Sequence, residues 1–144
     1  MILVADSSGL IAAFNTADAE HKAAAEAPDS AEFVIKSPLA LGEIDHVVTA
    51  RVSRAAADRV LEQVRARVEV KRAQLAEVEV RLLRVALSVR RRYLDMDLDL
   101  ADAFNVALAA RYETDTLLTL DRRDFRALRP LGRHRAFRLL PDDQ

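Results

Sequence analysis

The chain contains no cysteine, so it can form neither a disulfide nor a thiolate metal site, and its composition suits the cytoplasm. It has no tryptophan, and aromatic residues make up only 5%, which leaves no obvious platform for stacking nucleic-acid bases. Its only glycines are Gly9, Gly42 and Gly132. A Gly-rich dinucleotide or phosphate loop cannot be assembled from them. No apolar run approaches the roughly 18 residues that span a bilayer, so no membrane segment is expected. The N-terminus lacks a basic region before its short apolar run, which reads as a buried strand rather than a signal peptide. Neither sign of charge prevails: the formal net charge is -1, so overall charge does not advertise a nucleic-acid partner.

What is present describes a globular chain. Hydrophobic residues make up 51% of 144 positions, enough for a sizeable core in one domain spanning 1–144. Residues 2–5 predict a buried strand, and 8–14 and 17–27 carry helical patterns. Phe33-Val34-Ile35-Lys36 predicts a second strand. Ser37 then caps a helix with Pro38 in its first turn, running to about Arg54 with Leu41, Ile44, Val47 and Val48 as its apolar stripe. A further helix is expected over 55–67 and a short strand over 68–70. Residues 75–93 read as one helix, with Leu75, Val78, Leu82, Val85 and Val89 on one side. Asp99 is placed to cap a helix over 100–112, and 117–120 and 137–140 predict the last strands. Strands alternating with helices argue for a parallel α/β layer fold.

Four acids stand at comparable places in this pattern. Asp6 ends the first strand, Glu43 lies about one turn past Pro38, Asp102 lies in the first turn after Asp99, and Asp121 ends the strand that begins at Leu117. In an open parallel sheet the carboxyl ends of the strands share the edge where ligands bind. Acids gathered there repel one another, and a bound cation is the natural reason to keep them together. Each has a plainer role: turn or cap residue for Asp6, exposed helix face for Glu43, dipole partner for Asp102. Asp99 is first a cap and only second a supporting metal contact. Asn105, one turn beyond Asp102, faces the same way. Thr119 lies on the same side of its strand as Asp121. Asp115, at the other end of that strand, belongs to the opposite sheet edge, and Asp124 is a reserve candidate. His21 and His134 have no partners nearby in sequence and read as solvated surface residues. Arginines at 51–72, 81–92 and 122–138 allow a basic rim around an acidic cleft, with Arg122 and Arg123 the candidates for holding a phosphate backbone.

The motifs carry a resemblance. Ala5-Asp6-Ser7-Ser8-Gly9-Leu10 resembles the opening of PIN-domain proteins, and Ser37-Pro38-Leu39-Ala40-Leu41-Gly42-Glu43 is similar to their second motif. Leu100-Ala101-Asp102-Ala103-Phe104-Asn105 and Thr119-Leu120-Asp121-Arg122-Arg123-Asp124-Phe125 resemble the third and fourth, and Glu20-His21-Lys22 fits a common feature of the second helix. Four motifs in order cover nearly the whole chain, and the compact length looks most like the VapC toxins of VapBC toxin–antitoxin pairs. The resemblance implies a three-layer α/β/α sandwich around a mostly parallel sheet. It also implies a Mg²⁺- or Mn²⁺-dependent endoribonuclease acting on transfer or ribosomal RNA, usually a homodimer, inhibited by a VapB antitoxin. Asp6, Glu43, Asp102 and Asp121 would be the catalytic, metal-binding acids, with Ser7 and Thr119 in support. The Arg- and Val-rich segment 71–92 departs from the pattern.

In that reading a metal-activated water attacks the phosphorus in line, and a carboxylate outside the metal's full grip takes its proton; which carboxylate stays open. Two other readings remain: a non-catalytic PIN-like module binding RNA or protein, and a nuclease directed at DNA. A di-iron centre is disfavoured because Glu43-x-x-His46 has no second copy. An aspartyl-phosphate phosphatase is disfavoured because no second Asp follows Asp6 by two positions.

Overall fold

Apolar runs too short for helices form the strands of the computed structural model, which describes residues 1–144. They are β1 (Ile2–Ala5), β2 (Phe33–Lys36), β3 (Ala73–Leu75), β4 (Thr116–Leu118) and β5 (Arg138–Leu140). All pair in parallel in the order β3-β2-β1-β4-β5. β1 is central: the chain adds β2 and β3 on one side of it, then β4 and β5 on the other. The order therefore reverses between β1 and β4, the position at which open parallel sheets leave a crevice beyond their carboxyl ends.

Seven helices cover the sheet: α1 (Ser7–Phe14), α2 (His21–Glu26), α3 (Pro38–Arg51), α4 (Arg54–Glu69), α5 (Val80–Arg92), α6 (Leu100–Arg111) and α7 (Arg122–Ala127). Alternation along the strands assigns them to two faces. Leu3, Ala5, Val34, Ala73, Leu118 and Leu140 pack with residues of α1 to α4. Val4, Ile35, Leu117 and Leu139 pack with residues of α5, α6 and α7. Both faces are covered, as an all-parallel sheet requires, and the result is the expected α/β/α sandwich. No helix is long and apolar enough to cross a membrane.

The helix starts follow local chemistry. Ser37 accepts a hydrogen bond from the Leu39 amide with Pro38 in the first turn, Ser53 caps α4 through the Ala56 amide, and Asp99 caps α6 through the Asp102 amide. α1 lies so close to β4 that a Cβ on Gly9 would stand 2.6 Å from the Leu118 carbonyl oxygen, so only glycine fits there.

The middle of the chain corrects the sequence reading. Residues 68–70 are not a strand: α4 runs on to Glu69, and Lys71 follows with φ 60°. The strand is instead Ala73–Leu75, read above as the approach to and start of a helix. Leu75 and Val78 continue the helical spacing of Leu82 and Val89, so period alone placed them in α5, which begins at Val80. Pairing with β2 (Val34 with Ala73, Lys36 with Leu75) decides otherwise. Residues 17–27 are also less helical than expected, since α2 starts only at His21.

Candidate functional site

The reversal between β1 and β4 brings the segments after those strands together. The Asp6 amide donates to the Leu118 carbonyl at 2.9 Å, and Asp6 is only 4% exposed. It occupies the N-cap position of α1, yet its side chain makes no cap bond. Its Oδ2 instead accepts from Ser8 Oγ at 2.8 Å and Thr119 Oγ1 at 2.9 Å, and its Oδ1 from Asn105 Nδ2 at 3.1 Å. The cap role is therefore vacant, and three elements converge on one buried carboxylate.

The other acids surround it. Glu43, on α3, accepts from Ser7 Oγ at 2.7 Å. Asp102 is 8% exposed in the first turn of α6, where the helix dipole favours negative charge. Asp121 caps α7 through the Asp124 amide at 3.3 Å, and its own amide donates to Thr119 Oγ1 at 3.0 Å. One carboxylate oxygen from each of Asp102, Asp121 and Asp124 lies within 4.8 Å of the others. Asp124, held in reserve on the sequence, is thus part of the cluster. Asp99 is spent on its cap bond to the Asp102 amide at 2.9 Å, while its charge still acts on its neighbours.

The electrostatics are unfavourable without a counter-charge. Burial, then repulsion from Asp6, Asp99, Asp121 and Glu43, raises the Asp102 pKa to about 8. Burial also raises Asp6, against the hydrogen bonds from Ser8 and Thr119 that favour its ionised form. Glu43 is raised by burial and by Asp99 and Asp6, with Ser7 opposing, and Asp124 is raised by burial and Asp121. One further atom points to a missing partner: Asn105 Oδ1 is buried with no hydrogen-bond donor, which buried polar atoms rarely tolerate. An oxygen-only donor set with unbalanced negative charge and an orphaned acceptor fits a hydrated hard divalent cation. Asp102, Asp121 and Asp124 are placed to hold it.

The remaining candidates lie as follows. Arg122 is turned away from the acids, pairing with Glu20 at 2.6 Å and Asp142 at 2.8 Å, whereas Arg123 is exposed and unpaired. Asp115 precedes β4 at the opposite edge of the sheet, as expected. The histidines do not fit their surface assignment: His21 Nδ1 lies 3.0 Å from the Ala12 carbonyl, and His134 Nδ1 lies 3.4 Å from Asp115. Both are partly buried, because helix packing and the sheet edge supply partners distant in sequence. Ser8 was not singled out on the sequence as a supporting residue. It joins Asp6, Thr119 and the Leu120 amide, which donates to Ser8 Oγ at 3.0 Å. The doubled serine after Asp6 was the available signal.

An all-parallel α/β/α sandwich with acids from four segments meeting at its strand-order reversal is the arrangement of a PIN domain, and this chain belongs to that family, matching the PIN domain over residues 3–129. Within the family it groups with VapC proteins. Ribonuclease VapC26 of Mycobacterium tuberculosis is 39% identical over 141 residues, covering 96% of this chain and 100% of that protein. The fold is shared with the crystal structure of Mycobacterium tuberculosis VapC20, a Sarcin-Ricin loop cleaving toxin. That match has TM-score 0.72 and 21% identity over 84% of this chain and 91% of that one. It is also shared with VapBC2 of Rickettsia felis bound to a promoter DNA fragment, with TM-score 0.69 and 13% identity over 96% and 98% of the two chains.

Proposed function

We propose that this chain, acting as one PIN unit over 1–144, is a Mg²⁺- or Mn²⁺-dependent endoribonuclease toxin of the cytoplasm. Its substrate is a structured RNA, transfer or ribosomal, and a VapB-type antitoxin restrains it. The observation that carries this reading is the convergence of Asp102, Asp121 and Asp124 within 4.8 Å beside buried Asp6. The 39% identity to a ribonuclease over nearly the full chain supports RNA as the substrate class, and family membership supports the antitoxin and a homodimer.

When bound, the divalent cation would supply Lewis-acid stabilisation of charge at the phosphodiester and an acidified water. Asp102, Asp121 and Asp124 would hold the cation. Asp6, locked by Ser8, Thr119 and Asn105, stiffens the site from beneath. Glu43 lies outside the converging trio, is oriented by Ser7, and has its proton affinity raised by burial. It is the carboxylate suited to take the proton of the attacking water. Arg123, unpaired at the rim, is the better placed of the two arginines for the phosphate backbone, since Arg122 serves Glu20 and Asp142.

The test is cleavage of end-labelled RNA and single-stranded DNA in parallel, with Mg²⁺, Mn²⁺ or chelator, by the native chain and Asp102→Asn. Metal-dependent RNA cleavage lost in a folded Asp102→Asn protein is expected. Undiminished, chelator-resistant activity in that variant would overturn the proposal. DNA-only cleavage would redirect it, and RNA binding without cleavage would indicate a binding module.

A further inference from the structure

We propose that a small basic cavity on the α1–α4 face of the sheet, built around the buried Lys36 side chain, binds a single phosphate group. Lys36 ends β2 and is 2% exposed. By strand alternation it leaves the sheet on the same face as Val34, away from the face that carries α6. Its side chain lines a cavity of about 40 Å³ together with Leu10, Phe14, Val34, Arg67 and Arg72. Every ionisable residue of the lining is cationic, and none of the three takes part in an ion pair or a side-chain hydrogen bond anywhere in the chain.

The Lys36 residue is almost wholly buried, its ammonium reaches the cavity, and no protein carboxylate or hydrogen-bond acceptor meets it there; charges drawn that far into a protein are ordinarily paired. Burial, with Arg67 adding repulsion, lowers the Lys36 pKa to about 8, so the group is still mostly cationic at neutral pH. Lys36 is the one cation drawn into the protein, and Arg67 and Arg72, exposed at the mouth of the same cavity, add positive charge around it with no acid in the lining, so the complementary occupant is an anion. Size narrows the choice. The cavity has a few times the roughly 10–15 Å³ that one water requires, which accommodates a tetrahedral oxyanion and not a nucleobase. Two guanidinium forks and an ammonium are the donor set that phosphate oxygens favour. The group would come from an RNA backbone or from free phosphate; only the first source rests on the nuclease reading above.

Metal-free protein in chelator keeps cleavage and the acidic site out of the test. Thermal unfolding is followed against inorganic phosphate, with chloride at equal ionic strength as the reference. The native chain should show a saturable rise in Tm with phosphate. Lys36→Met, which replaces a buried cation by an apolar chain of similar length, should lose that rise, and Arg67→Gln/Arg72→Gln should at least halve it. The double variant changes only exposed residues and decides the matter if Lys36→Met does not fold. In the second arm, fluorescence anisotropy measures binding of a short single-stranded RNA under the same conditions. A several-fold loss of RNA affinity in Lys36→Met identifies a backbone phosphate. A lost phosphate response with unchanged RNA affinity identifies free phosphate. No saturable response in the native chain, or an unaltered response in the variants, overturns the proposal. Failure of the nuclease reading would leave the inorganic phosphate response intact, so the two are separable.

Discussion

Burial and four neighbouring carboxylates leave Asp102 protonated up to about pH 8 in the metal-free protein. Its ordinary pKa is 3.8, so between these values the folded state holds a proton that the unfolded chain releases. Stability linked to this group is therefore greatest at low pH and falls as pH rises toward 8. Asp102→Asn removes the penalty. Without metal it should melt above the native chain at pH 8, and the difference should shrink toward pH 5. The same substitution should abolish the Tm increase produced by Mn²⁺ in the native chain. A cation must displace the shared protons, so that increase should itself be larger at pH 8 than at pH 6. A native Mn²⁺ response that is flat with pH would contradict the assignment. At Asp6 the bonds from Ser8, Thr119 and Asn105 already favour the charged form. Ser8→Ala should accordingly weaken Mn²⁺ binding, by about 1 kcal/mol if it is worth one ordinary hydrogen bond, read by titration calorimetry.

At the scale of elements, local rules accounted for helix starts better than for helix lengths. Ser37-Pro38 and Asp99 announced α3 and α6 because capping is settled within four residues. Ser53→Ala should cost about 1 kcal/mol through the lost bond to the Ala56 amide, measured by chemical denaturation. Gly9 is a sharper case. Nothing in the local pattern requires glycine, yet a methyl group there meets both the carbonyl oxygen of Leu118 and its side chain, at 2.6 and 2.7 Å. Gly9→Ala should destabilise the fold by ~1–3 kcal/mol. It should also reduce cleavage beyond that loss, because α1 carries Ser7 and Ser8 to the acids. β3 could not be read in the same way. Three residues, one of them Leu75 at 40% exposure, have no periodicity of their own, and only backbone pairing with β2 makes them a strand.

Across the whole molecule, the site exists because the strand order reverses. β1 and β4 are neighbours, so Asp6 and Thr119 meet across 113 positions, while α3 and α6 bring Glu43 and Asp102 from the two layers. Chelation should therefore have a global signature. Removing divalent cations should stop RNA cleavage and lower Tm, and both should return on adding Mn²⁺. In solution the proposed homodimer should sediment at about twice the 16.0 kDa of the chain.

The sequence by itself determined the fold class and which acids were candidates. Strand and helix periods, caps and motif order are local properties, and Asp6, Glu43, Asp102 and Asp121 each stood at the end of a strand or near the start of a helix. Tertiary structure alone decided which side chains face one another. It drew Asp124 into reach of Asp102 and Asp121, gave Ser8 to Asp6, spent Arg122 on Glu20 and Asp142, and set Lys36, Arg67 and Arg72 around one small cavity. Those outcomes depend on side-chain direction and on sheet pairing between residues far apart in sequence, to which composition and spacing are blind.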